Sequence, residues 1–176
     1  MAIDLYQATV PQLVQLLTAA IGNLDKAQGW AKEQGLSDED ILGKSIAPDM
    51  WPLAKQFQVI AGHSAGAVKG AIAGAFSPNI TDAPRNFGEL RALLSAAIAD
   101  LKAVTPEEVN AAEDKDVVLE IRGNVIMRFK GGDFLLTFAQ PNFYFHVTAA
   151  YAILRGLGAP VGKRDYLGTP RVQQPA

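Results

Sequence analysis

The chain of 176 residues contains no cysteine and only two histidines, His63 and His146. Without thiols there is no disulfide, no thiolate metal centre and no cysteine nucleophile. Positive charge is also scarce. Sixteen Lys and Arg face eighteen Asp and Glu, a net charge of −2, so the basic footprint that neutralises phosphates is missing and nucleic acid is excluded as a partner. Long apolar runs are absent too. The longest, residues 59–76, is broken by His63, Ser64 and Lys69 and is mostly Ala and Gly, too weakly hydrophobic to span a bilayer. The start Met1-Ala2-Ile3-Asp4 lacks a basic region followed by an apolar one, so the expectation is a cytoplasmic protein with no membrane partner.

What remains is ample core material, 49% apolar residues in a length that suits one domain. A first helix is expected over residues 11–34, with Pro11 in its first turn, Thr9 or Val10 as cap, and Leu13, Leu17, Ile21 and Leu24 on one face. Gly35 ends it. Ser37-Asp38-Glu39-Asp40 reads as a short helical start. A second helix runs from near Pro52 to before Pro78, with Leu53, Phe57, Ile60, Ala67 and Ala71 as its seam. Gly62, Gly66, Gly70 and Gly74 recur along it at every fourth position. Each interior glycine costs roughly 0.8–1 kcal/mol against alanine, so the stripe implies close approach of another backbone, within the molecule or across a homodimer. A third helix starts at Asn86, with Glu89 completing a capping box and Phe87, Leu90, Leu94, Ala97 and Leu101 as its apolar face. Thr105-Pro106-Glu107-Glu108 opens a short helix through Ala112.

Residues 117–121 and 125–129 are rich in β-formers and read as a hairpin. A three-residue loop, Arg122-Gly123-Asn124 with Asn124 left-handed, puts Val117, Leu119, Ile121, Val125, Met127 and Phe129 on one face. Residues 134–139 fit neither state clearly. The segment after Pro141, Asn142-Phe143-Tyr144-Phe145-His146, opens a fourth helix over residues 142–157, ended by Gly156, Gly158 and Pro160. Residues 162–176 read as surface coil. The expectation is mainly α: an up-and-down four-helix bundle with a small β-hairpin between helices 3 and 4, one domain over 1–168 and a tail over 169–176.

Chemistry has few places to reside. His146 shares an inward face with Phe143, Ala150, Ile153 and Leu157, and His63 lies beside Ile60 and Ala67 at the edge of the second helix's seam. Both can point toward the bundle axis, where such folds build cofactor sites. Either the two meet in a pocket, or each is simply bonded where it sits. A catalytic zinc needs three protein ligands, and the positions one turn away are Val59 and Ala67, Asn142 and Ala150. A third ligand would come from a carboxylate elsewhere, such as Asp25. Ser64 is no partner for His63, because consecutive helical residues diverge by about 100°. Tyr144, Thr148, Tyr151 and Arg155 form a half-polar stripe that is either a packing flank, a ligand-binding wall or a dimer face.

Six blocks carry a family resemblance: Leu5–Pro11, Leu24–Ala27, Ile46–Leu53, Asn142–His146, the rest of that helix to Leu157, and Gly162-Lys163-Arg164-Asp165-Tyr166-Leu167-Gly168. The chain resembles an uncharacterised, mostly bacterial family grouped with the DinB/YfiT-like metalloenzymes. The resemblance implies a DinB-like four-helix bundle. In the wider superfamily a divalent metal is held by a histidine on helix 2 and a His-x-x-x-His pair on helix 4, and some members resemble thiol-dependent transferases. His63 matches the helix 2 ligand and His146 one of the pair; the other falls on Ala150 or Asn142. The expectation is therefore an inward pocket of His63, His146, Asn142, Tyr144 and Tyr151 that binds a small molecule in a homodimeric protein. Any zinc or nickel would be weakly held by His63 and His146. The alternatives are a metal-dependent enzyme with a non-histidine third ligand, or a non-catalytic interaction module.

Overall fold

The computed structural model describes residues 3–172, and the chain is mainly helical with a small three-stranded sheet. The first helix, α1 (Leu5–Glu33), begins six residues earlier than the proline signal suggested. Asp4 is its cap, accepting from the Gln7 amide, and Pro11 lies inside. A helix-interior proline removes one backbone donor and crowds the preceding turn. Side chains add bonds to carbonyls of the same stretch: Thr9 Oγ1 donates to Leu5 O at 2.6 Å, and the Gln12 and Gln140 amides donate to Ala8 O.

A capping box of Ser37 and Asp40 opens α2 (Asp38–Leu42). Helix α3 starts as Leu53–Ala61, passes through a π-helical turn at Gly62–Gly66 and resumes as Ala67–Ala73. Its expected seam is fully buried. Gly74, at φ +86°, then lets the chain reverse into β1 (Ala75–Phe76). That return strand is the backbone that requires a glycine at position 70, while Gly62 of the same stripe faces open space. A Cβ on Gly70 would sit 2.9 Å from Phe76 Cβ and 3.0 Å from Ala75 O. Strand β1 pairs in parallel with β2, a strand the hairpin expectation did not contain.

Helix α4 (Phe87–Ala103), capped by Asn86, buries all five residues of its expected face. After the capping box of α5 (Pro106–Asn110), strands β2 (Asp116–Ile121) and β3 (Asn124–Lys130) form the hairpin. Its turn corrects the expectation. Ile121 pairs with Asn124, and the two turn residues Arg122 (φ 51°) and Gly123 (φ 78°) are the left-handed ones. Positive φ at both central residues matches the twist of the strands, and a bulge at Leu119/Glu120 absorbs the register slip. Val117 and Leu119 are buried, while Val125 and Met127 on the outer strand stay exposed.

The last long helix, α6, also starts before its proline. It runs through Gly131–Asp133, a π-helical turn at Phe134–Ala139, and Gln140–Leu157, with Pro141 inside. The wide π turn makes room where Pro141 offers no N–H, and the Asn142 amide donates to Phe138 O at 2.7 Å. Gly131 is required at the entry, since any side chain there would collide with the Ala112 carbonyl. Part of the segment read as coil is helical, α7 (Lys163–Leu167), held on α1 by the Lys26–Asp165 ion pair at 2.6 Å. The expected tail over 169–176 lies partly outside the described residues. Within the core, α1 packs on α4, and α3 packs on both α6 and α4. Among the described residues no helix is long and apolar enough to cross a membrane.

Candidate functional site

His63 sits, buried, within the π-helical turn of α3, a deviation from the regular helix of the kind often found at functional sites. Opposite it is the π turn of α6, which supplies Phe138. The His63 ring lies 5.5 Å from that of Phe76 on β1 and 5.7 Å from that of Phe138, both tilted against it. On another side it meets His146, centroid to centroid at 6.1 Å and 18° from parallel. Two residues 83 positions apart are thus brought together because α3 and α6 pack side by side.

His146 is oriented by Gln56. Gln56 donates its amide to Trp51 O at 2.9 Å, so its carbonyl oxygen faces His146 Nδ1 at 2.6 Å. Nδ1 therefore carries the proton, and Nε2 is left as a bare lone pair. His146 also stacks on Trp51, with centroids 5.7 Å apart and 17° between the planes. His63 differs. Its Nδ1 is buried without any hydrogen-bond partner. An orphaned N–H is rarer than an unpaired acceptor, so the proton belongs on Nε2. The pair thus offers one N–H, on His63, and one lone pair, on His146.

Burial in this aromatic box pushes both imidazoles down to about 4, with the neighbouring His146 adding to the effect on His63. Both are neutral at pH 7. His63 and Trp51 form part of the wall of a cavity of about 350 Å³, a size that suits a small molecule. Its floor is the stripe Lys55, Gln58, Val59 and Gly62 of α3, and Phe76 and Ile121 close it from the sheet. Gly62 leaves open space where a Cβ would stand.

Of the expected pocket residues, only the two histidines come together here. Asn142 spends its amide on the backbone of its own helix. Tyr144 donates its hydroxyl to Gln12 Oε1 at 2.8 Å, toward α1. Tyr151 packs edge-on against Tyr166 of α7 at 5.7 Å, and Thr148 Oγ1 lies 3.3 Å from Tyr166 Oη. Arg155 donates to Val161 O at 3.0 Å, so the half-polar stripe contacts α1 and the C-terminal segment, while Tyr144 and Thr148 also border a separate open cavity beside Ile46 and Phe145. None of these side chains lines the cavity of about 350 Å³, and of the two histidines only His63 does, with His146 packed behind it. Trp51, Gln56, Lys55 and Gln58 were missed; Gln56 and Gln58 are both buried, and polar residues beside an apolar seam were the available signal.

The donor set does not fit a three-ligand metal centre. Ala150 offers no donor, and Asp25 is exposed at the surface, paired with Arg91. Among the described residues no group of three or more His, Asp or Glu side chains is placed to hold a metal ion.

A family model described as "Domain of unknown function (DUF1993)" matches residues 5–167. Among solved structures, a DinB family member protein from Shewanella denitrificans superposes with a TM-score of 0.84 at 27% identity, covering 97% of this chain and 96% of that one. A search of curated proteins finds no match.

Proposed function

Because the chain belongs to the DUF1993 family and is structurally similar to a DinB family member, we propose that it is a DinB-like bundle protein that binds a small molecule without a complete metal triad. The observation that carries this reading is the pair of neutral imidazoles, buried beside a cavity of about 350 Å³ and short of a third ligand. In this reading the four long helices form the up-and-down bundle of the superfamily. The ancestral metal position then serves as a hydrogen-bonding wall: His63 Nε2–H donates to the ligand, and His146, held by Gln56, keeps His63 and Trp51 in place.

Gly62→Leu tests it, since the new side chain enters the cavity and meets no protein atom at its Cβ. In a thermal-shift and calorimetric screen of small planar compounds, wild-type protein binds and the variant does not. Ligands that bind both proteins equally place the site elsewhere. The same proposal includes a homodimer, using the exposed Ile46, Trp51 and Phe145; light scattering at micromolar concentration then reports twice the 18.8 kDa chain mass.

A further inference from the structure

The cavity beside His63 is not uniformly apolar. Its walls are mostly hydrocarbon: Trp51, Val59, Phe76, Pro78, Ile80 and Ile121. One pole is different. Lys55 Nζ donates to Gln58 Oε1 and to the carbonyls of Thr81 at 2.7 Å and Asn79 at 3.4 Å, so Lys55, Gln58 and Asn79 cluster at one place on the wall. Among the described residues no acidic side chain lines the cavity. Among the described residues Lys55 forms no salt bridge, though Asp82 acts on it at longer range.

The chemistry of such a cavity is selective. A partly desolvated ammonium whose hydrogen-bond partners are all neutral has its charge only partly balanced, by Asp82 at longer range, and an incoming carboxylate gains a charge-assisted hydrogen bond. The longest of the three Lys55 contacts, to Asn79 O, is the one an anion replaces with least loss. The Trp51 ring, with Lys55 Nζ 5.8 Å from its centroid, adds a flat face next to the charge. Both neutral histidines tolerate an anion but supply no charge for one, so discrimination falls on Lys55.

Building on the ligand-cavity reading above, we propose that the ligand is an amphiphilic anion: a planar or branched apolar body in the cavity with its carboxylate on Lys55. The requirement is one acid group at one end of a hydrocarbon skeleton, which rules against cations and against polyanions.

Three probes that share a skeleton separate the steps: 2-naphthoate, 2-naphthamide and 2-naphthylmethylammonium, titrated by calorimetry at pH 7.5 into the full-length protein. Naphthoate is expected to bind at least tenfold tighter than the amide, with the ammonium weakest. In Lys55→Met that advantage disappears while amide binding persists, and Lys55→Arg restores it. Raising the salt from 50 to 500 mM weakens naphthoate and leaves the amide unchanged, a readout in wild-type protein that does not depend on the variants folding. Equal affinity for acid and amide in the wild type overturns the anion inference alone. An acid preference that survives in Lys55→Met assigns the charge recognition elsewhere and also overturns it. Failure of all three probes to bind overturns the cavity reading, and the inference with it.

Discussion

His63 and His146 face one another as near-parallel rings, 6.1 Å apart and 18° from coplanar, inside a box of aromatic side chains. One ring is held by a glutamine and the other has a buried nitrogen with no partner. That relationship ties the packing of α3 on α6 to the chemistry of the cavity.

The pair makes stability pH-dependent. Both folded-state pKa values are lowered to about 4, against an ordinary value near 6.5. Between those limits the unfolded chain binds more protons than the native one, so stability falls as the pH drops from about 6.5 toward 4 and is unaffected above that window. At about 1.4 kcal/mol per unit, one imidazole contributes at most roughly 3 kcal/mol to this loss. Urea denaturation at intervals from pH 7.5 to 4.5 measures the slope. His63→Leu should make it shallower, leaving the share of His146; an identical slope in the variant would show that His63 does not contribute.

Gln56 sets the tautomer of His146. Gln56→Leu removes the acceptor of Nδ1–H, and leaving a buried polar group unpaired costs about 1–3 kcal/mol. In wild-type protein, nitrogen chemical shifts of the His146 ring should show Nδ1 protonated and Nε2 bare at pH 7. The variant should show a mixture of tautomers. A wild-type spectrum with the proton on Nε2 would contradict the orienting role of Gln56.

Two glycines of one stripe should respond in opposite directions. Gly62 has open space where a Cβ would stand, so Gly62→Ala should stabilise by up to about 1 kcal/mol through helix propensity. Gly70→Ala drives a methyl group into Phe76 and the Ala75 carbonyl, and overpacking of this kind costs about 1–3 kcal/mol. Thermal denaturation of the two variants side by side decides; a gain in both would mean that β1 does not lie against Gly70.

The hairpin turn holds an arginine at φ 51°, a conformation that suits Asn or Gly. Arg122→Asn creates an Asn-Gly turn and should raise stability by roughly 0.5–1 kcal/mol. No change, or a loss, in the urea midpoint would argue for a three-residue loop.

Local signals carried much of this fold. The seam of α3, the face of α4, the short helical start at Ser37 and the capping signature at Thr105 follow from patterns within a few residues, and the structure holds them there. Prolines misled. Pro11 and Pro141 resemble helix starts, yet both lie inside helices, where Gln140, Thr9 and Asn142 bond neighbouring backbone carbonyls. One of those bonds spans 132 residues, and no local pattern reveals it. The meeting of His63 and His146 was legible as two inward faces, whereas Trp51 was not: its place depends on the loop before α3 folding against α6. The tyrosines of α6 fell on a half-polar stripe open to a ligand-wall reading, but they bond and pack toward α1 and α7.

The central claim is that His63, backed by His146, forms part of the wall of a ligand cavity and that the pair is not a metal centre. Metal content of the protein as purified, measured by mass spectrometry alongside His63→Ala, tests it most directly. The account predicts zinc and nickel well below one equivalent in wild-type protein, with no difference in the variant. Near-stoichiometric metal that disappears in His63→Ala would contradict it.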